Sequence, residues 1–194
     1  MSRNAAAFVC ALAGVCVISF VMGLSGRIPY QDPVFAQFDH NSYLAIASEG
    51  VGAPGRASVP PFCWRILTPL IARALPLPLP TAFFAISFAA LVGSAWGMYH
   101  LLAREGLPHR HCVAGQIAFL SCFWAFGFNL WSYIMVDAVC LVIIVAGLLI
   151  LGATRWSLKA RQAAMALLMA LGALNKESVL VLGAAAAVYL WSNT

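Results

Sequence analysis

Residues 5–24, AAAFVCALAGVCVISFVMGL, run for twenty positions without a charge and follow Arg3. A helix that crosses a bilayer needs about 20 mostly apolar residues. The run exceeds the apolar core of a usual signal peptide, and no clear A-x-A cleavage site follows it. It reads as an uncleaved first span with its N-terminus in the cytoplasm. Residues 81–103 (TAFFAISFAALVGSAWGMYHLLA) repeat the pattern as a second span. Residues 112–130 give a third, ending in the aromatic-rich stretch FWAFGFNLWSY, and residues 134–153 (IMVDAVCLVIIVAGLLILGA) a fourth.

The last apolar stretch, 163–191, is interrupted by Asn175-Lys176-Glu177-Ser178. One helix over it would run about 43 Å and carry two charges to its centre, at 1.5 Å per residue. Two short halves, 163–174 and 178–191, joined by a break at the outer face, fit better, because interrupted segments are tolerated where protein or a watery cavity covers them. The expectation is an all-α fold. It is a single membrane domain over 1–194, a polytopic transmembrane helical bundle of about five to six segments.

Composition agrees. Of 194 residues, 63% are hydrophobic and 9% charged, with a mean hydropathy of +0.91. Soluble domains carry roughly 25% charged residues. A soluble globular enzyme, a disordered chain and a disulfide-rich secreted domain are excluded. The net charge of +5 comes from basic residues in short loops between apolar runs, which points to membrane topology and not to nucleic acid. Five of the six cysteines lie in apolar runs, where Cys behaves as a small hydrophobe. Cys63 lies in a large loop without an obvious partner, so no disulfide framework is expected.

Residues 25–80 form that loop, rich in Pro and Gly. Within FCWRILTPLIARAL, the side chains Trp64, Leu67, Ile71 and Leu75 make an apolar stripe with Arg65 and Arg73 pointing away, as in a helix lying in the interface. Pro69 bends that helix or marks the first turn of a second piece. The PLPLP run ends the segment as a stiff, extended spacer. Arg3, Arg104, Arg110, Arg155, Lys159 and Arg161 are dense in the N-terminus and two short turns. Arg27, Arg56, Arg65 and Arg73 are sparse in the long loop. The denser side is cytoplasmic. The long loop, the turn at Asn129–Tyr133 and the 175–178 break then face outward.

Four constellations meet on that outer face. Asp39-His40, with Tyr43, offers a carboxylate beside a histidine, suited to general-base chemistry or to helping bind a metal; the plainer reading of Asp39 is a helix cap. Arg65 can clamp a phosphate through its guanidinium fork or snorkel to headgroups. Asp137, preceded by Asn129 and Tyr133, opens a span where a helix N-terminus favours an anion, and could also wall a polar cavity. Lys176 and Glu177 are adjacent, so on a helix they do not face one another. Each needs a partner elsewhere, Asp39 or Asp137 for the lysine and Arg65 for the glutamate. His100 reads as an interfacial polar tip, and His109 and His111 as turn residues near headgroups. No nucleophile-elbow, Walker, zinc-protease or dinucleotide motif is present.

The order F-D-H-x-x-Y-L-x-I-A-x-x-G, then P-F-x-W-R-I-L-T-P-L-I-A, then an Asp opening a span, then G-A-L-N-K-E-S-V-L, resembles the N-terminal half of bacterial integral-membrane glycosyltransferases of the GT-C superfamily. Trp64 stands where Tyr is usual in those motifs, and Asn175 where Thr is usual. The resemblance implies transfer of a sugar from a polyprenyl-phosphate-linked donor, as co-substrate, to an extracytoplasmic acceptor. Asp39, with His40, matches the base position. Arg65 and Lys176, with Tyr43, match residues that hold the donor phosphate. Asp137, Glu177 and Asn129 match supporting positions. No metal ligand set is assigned, and a divalent ion at Asp39-His40 stays open. Relatives usually carry more spans, so the chain is expected to be a fragment, a truncated paralogue or half of a complex with a further membrane subunit. Two other readings remain: a non-catalytic membrane subunit, and a small transporter or flippase for a lipid-linked or polar solute.

Overall fold

The computed structural model describes residues 2–24, 39–52, 64–122 and 126–192, with side chains up to 189. The expected loop at 53–61, Cys63, Arg27, Arg56 and the aromatic positions 123–124 lie outside the described residues. Within them every regular element is helical: α1 (Arg3–Leu24), α2 (His40–Glu49), α3 (Leu67–Ala74), α4 (Leu79–Arg104), α5 (His109–Leu120), α6 (Gly127–Trp131), α7 (Asp137–Leu151), α8 (Leu158–Ala173), a 3₁₀ turn at Glu177–Val179 and α9 (Leu180–Ser192).

Two helices, α1 and α4, are long and apolar enough to cross a membrane. With 22 and 26 residues they reach about 33 and 39 Å, against a hydrocarbon core of about 30 Å. The helix α4 starts at Leu79, so the end of the PLPLP run is already helical, with Pro80 in a first turn where its missing N–H costs nothing.

The third apolar run departs from the expected single helix. The helix α5 closes at Leu120, and the Ser121 hydroxyl donates to the Ile117 carbonyl at 2.9 Å, a local bond that competes with helix continuation. The five-residue α6 follows as a separate piece. The runs at 134–153 and 163–191 yield helices of 15, 16 and 13 residues, and the chain is interrupted between α8 and α9.

The helix α7 lies at the centre and runs parallel to α4. Gly93 and Gly97, one turn apart on α4, let the two backbones close up: a Cβ at Gly97 would sit 2.5 Å from Val145 Cγ1, and one at Gly93 3.2 Å from Val142 Cγ2. This is the small-xxx-small spacing that membrane helices use for close packing. Helices α1 and α5 cover another side of α4, while α8 and α9 cover α7. The core between them holds Leu91, Ala95, Phe126, Leu130, Ala138 and Ile143. At the C-terminal end of α7, Arg104 donates to the Leu148 carbonyl at 2.9 Å and Arg161 to the Leu151 carbonyl at 3.1 Å. Those two cations, and Asp137 at the other end, complement the helix dipole.

Helices α2 and α3 pack around the first turns of α4, which project past the start of α7. Tyr43, Ala47, Ala72, Phe83, Tyr133 and Val136 form this second core. The buried face of α3 is Thr68, Pro69 and Ala72. Of the expected apolar stripe, Trp64 and Ile71 are exposed and Leu67 and Leu75 half-buried, and the neighbouring Leu70 is exposed too. Small side chains turn inward because α3 lies against α4 and the end of α8, where Thr68 must reach a hydrogen-bond partner. Pro69 sits in the first helical turn and bends nothing.

Candidate functional site

Five segments bring charged or polar side chains to one end of the bundle. Asp39 stands at the N-cap of α2, but only its backbone carbonyl serves the helix, accepting from the Ser42 and Tyr43 N–H groups at 3.0 and 3.2 Å. Its carboxylate makes no cap hydrogen bond, which corrects the capping expectation. It lies instead 4.0 Å from Arg65 Nη1. Tyr43, one turn along α2 and fully buried, accepts a hydrogen bond from Arg65 Nη1 at 3.1 Å.

Arg65 does not snorkel. It precedes α3, turns inward, and grips Glu177 with two nitrogens: Nε donates to Oε2 at 3.0 Å and Nη2 pairs with Oε1. Glu177 opens the 3₁₀ turn after α8. Its neighbour Lys176, in extended backbone, points to a different partner and pairs with Asp137 at the first position of α7. The cluster therefore sets three carboxylates against two cations, drawn from α2, the strap before α3, α7 and the α8–α9 break.

Environment tunes these groups. Burial works against the Arg65 charge, yet hydrogen bonds to Glu177 and Tyr43 hold its pKa above the ordinary value. The Arg65 hydrogen bond holds the Glu177 carboxyl below its usual range, against a weaker opposing push from burial. Burial raises the Tyr43 phenol, with Arg65 opposing. Burial also lowers the His40 imidazole and so favours its neutral form, with Asp39 opposing. The ring is oriented by a 2.7 Å hydrogen bond between Nε2 and Ser132 Oγ.

One residue that sequence reasoning left without a role holds the site together. Asn175 is fully buried; its Oδ1 accepts from Thr68 Oγ1 at 2.5 Å and its Nδ2 donates to the Val136 carbonyl at 2.8 Å. Beside it the Leu67 N–H, an orphan donor at the start of α3, donates to the Leu174 carbonyl at 2.9 Å. These bonds tie α3, α7 and the end of α8 at the level of the charges. Ser132, like Thr68, carries no sequence signal that would single it out.

Asn129 is buried on α6. At the opposite end of the bundle, His109 Nδ1 and Tyr99 OH share a 2.7 Å hydrogen bond, so His109 is tied to α4 while His111 is exposed. Among the described residues no group of three or more His, Cys, Asp or Glu is placed to hold a metal ion. The carboxylates of the cluster lie on Arg65 and Lys176, and His40 lies on Ser132, so these side chains do not fit a divalent ion. Chemically, the cluster joins carboxylates, a guanidinium fork and an ammonium within one neighbourhood. Comparison with family models, curated proteins and solved structures returns no match.

Proposed function

We propose that the chain is a multi-pass bacterial inner-membrane protein of five to six segments, and that it acts as a GT-C-like glycosyltransferase or as the N-terminal half of one. Two features support the membrane reading. Phe8, Val17, Phe20 and Val21 on α1, and Leu180, Val181 and Val188 on α9, are exposed apolar side chains suited to lipid. The cluster lies at the end where α1 finishes and α4 and α7 begin, away from the end bearing Arg3, Arg104, Arg110, Arg155, Lys159 and Arg161. That separation matches an N-terminus in the cytoplasm and a cluster on the outer face. The helices of 12 to 16 residues reach about 18–24 Å and would draw the bilayer thinner around them.

In this reading Arg65 and Lys176 hold the phosphate of a polyprenyl-phosphate-linked sugar, and Tyr43 orients Arg65. Asp39 takes the proton from an acceptor hydroxyl as that oxygen bonds to the anomeric carbon. The bond from that carbon to the phosphate oxygen breaks, and polyprenyl phosphate leaves with the electron pair. His40, neutral and held by Ser132, is the adjacent proton acceptor. Glu177 and Asp137 position the two cations, and Asn129 supports the turn. The observation that carries the reading is the 4.0 Å approach of the Asp39 carboxylate to the Arg65 guanidinium, from separate segments of the first loop.

The test is Asp39→Asn in membranes supplied with radiolabelled polyprenyl-phosphate hexose or pentose. Transfer should vanish while the protein still inserts and accumulates; full activity in that variant removes Asp39 as the base. One observation favours the second reading, a non-catalytic subunit: both cations of the cluster are already paired within the chain. A subunit would co-purify with a larger membrane partner, and the function of that complex would survive Asp39→Asn.

A further inference from the structure

Arg65 presents two edges. Nη1 turns inward to Tyr43 OH, 3.1 Å away, and to the Asp39 carboxylate at 4.0 Å. The Nε–Nη2 edge turns to Glu177 and meets both of its oxygens. The partners differ in exposure: 11% of the Arg65 side chain reaches the surface, against 51% of the Glu177 side chain. A largely buried cation is thus closed from outside by a half-exposed carboxylate on a rotatable stem. The Nε–Nη2 edge is also one that pairs in parallel with the oxygens of a phosphate.

We propose that Glu177 fills the Arg65 seat as an internal stand-in for a ligand phosphate, and that a phosphate-bearing isoprenoid lipid binds by swinging Glu177 aside. This rests on the reading of Arg65 as a phosphate-holding residue. An anion and the Glu177 carboxylate cannot share the fork, because like charges within about 4 Å repel strongly away from bulk water. Asp39 and Asp137 add two more negative charges nearby, and Lys176 is taken up by Asp137. The anion therefore enters only as Glu177 leaves. The movement is confined to the side chain, since the 3₁₀ turn is anchored by the fully buried Val179. The arrangement also selects. A carboxylate ligand must outcompete a chemically equal group that is tethered at high effective concentration, whereas a phosphate monoester, such as the departing polyprenyl phosphate or farnesyl phosphate, brings more charge and a third oxygen.

The test uses the full chain in a non-ionic detergent, with farnesyl phosphate as probe and calorimetry as readout. Glu177→Gln and Glu177→Ala, each checked for native helicity, should tighten binding by up to about fivefold, the upper worth of a partly exposed ion pair. They should also make that binding sensitive to acetate, to which the parent is indifferent. Inorganic phosphate and phosphatidylglycerol serve as comparison ligands. A gain shared with inorganic phosphate locates recognition in the phosphate alone, and a gain confined to farnesyl phosphate adds the tail; both uphold the displacement. A gain seen only with phosphatidylglycerol overturns the isoprenoid assignment. Unchanged or weaker binding in both Glu177 variants overturns the displacement but leaves Arg65 as the seat. Farnesyl phosphate binding that is unaffected by Arg65→Gln removes the seat itself, and with it the proposed function.

Discussion

Replacing Asn175 with alanine removes the carboxamide that joins three elements beneath the charge cluster. The loss strands the Thr68 hydroxyl, which is fully buried and donates to Asn175 Oδ1 at 2.5 Å. It also takes one donor from the Val136 carbonyl, which keeps its bond from the Cys140 N–H at 3.1 Å. A stranded buried hydroxyl costs about 1–3 kcal/mol, and a carbonyl that keeps one partner sits at the low end of that range. Asn175→Ala should therefore destabilise by about 2–4 kcal/mol. Thr68→Val keeps the shape and strands only Asn175 Oδ1, for about 1–3 kcal/mol. In the double variant neither group is left facing a missing partner, so its cost should fall short of the sum by about 1–2 kcal/mol. The assay is reversible unfolding in mixed micelles by titration with a denaturing detergent, followed by far-ultraviolet circular dichroism. Single-variant costs that add within about 0.5 kcal/mol would mean that the two side chains are not coupled, and the tie between α3 and the end of α8 would be refuted.

Three further outcomes are expected. The Glu177 carboxyl is held below its ordinary value of 4.5 by Arg65, so its stabilising contribution is present above that pH and is lost as pH falls through the depressed value; an acid titration of unfolding should show that loss in the parent and not in Glu177→Gln. Gly97→Ala drives a methyl into Val145 and should cost about 1–3 kcal/mol in the same unfolding assay, with Gly93→Ala milder and Val145→Ala restoring part of the loss. In a chain whose native cysteines are replaced, Glu49→Cys should react with an impermeant maleimide on intact cells and Ser157→Cys only after permeabilisation; the reverse pattern would invert the topology.

Two of the helices are legible in the amino-acid sequence because a charge-free run of about twenty residues or more has few other uses; α1 and α4 follow from hydropathy alone. The end of α5 does not. Hydropathy measures transfer into lipid and is blind to hydrogen-bond continuity, so a run that stays apolar past Leu120 hides the stop at Ser121. Nor does an apolar stripe reveal which way it faces when the surroundings are themselves apolar. On α3 the large side chains Leu70 and Ile71 face outward and Thr68 and Ala72 face the protein, the reverse of what a soluble protein would require.

The charged cluster divides along the same physical line. Adjacent residues cannot share a partner direction, and a charge within an apolar run cannot stand alone. Those two constraints reduce the choices for Lys176 and Glu177 to a few acids and one arginine, and the structure pairs them with Asp137 and Arg65. Neutral polar residues carry no such obligation. A threonine before a proline and a serine in a turn are each at home in water, so nothing in their spacing points to Thr68 or Ser132, and the polar break that contains Asn175 marks its place but not its partners. Their importance comes from depth. Helix α7 starts at Asp137, well inside the projecting end of α4, so the elements that meet there cannot all leave their backbone ends in solvent. Asn175 and Thr68 answer that need, and by fixing the ends of three helices they place the Arg65 fork where sequence-distant acids can reach it.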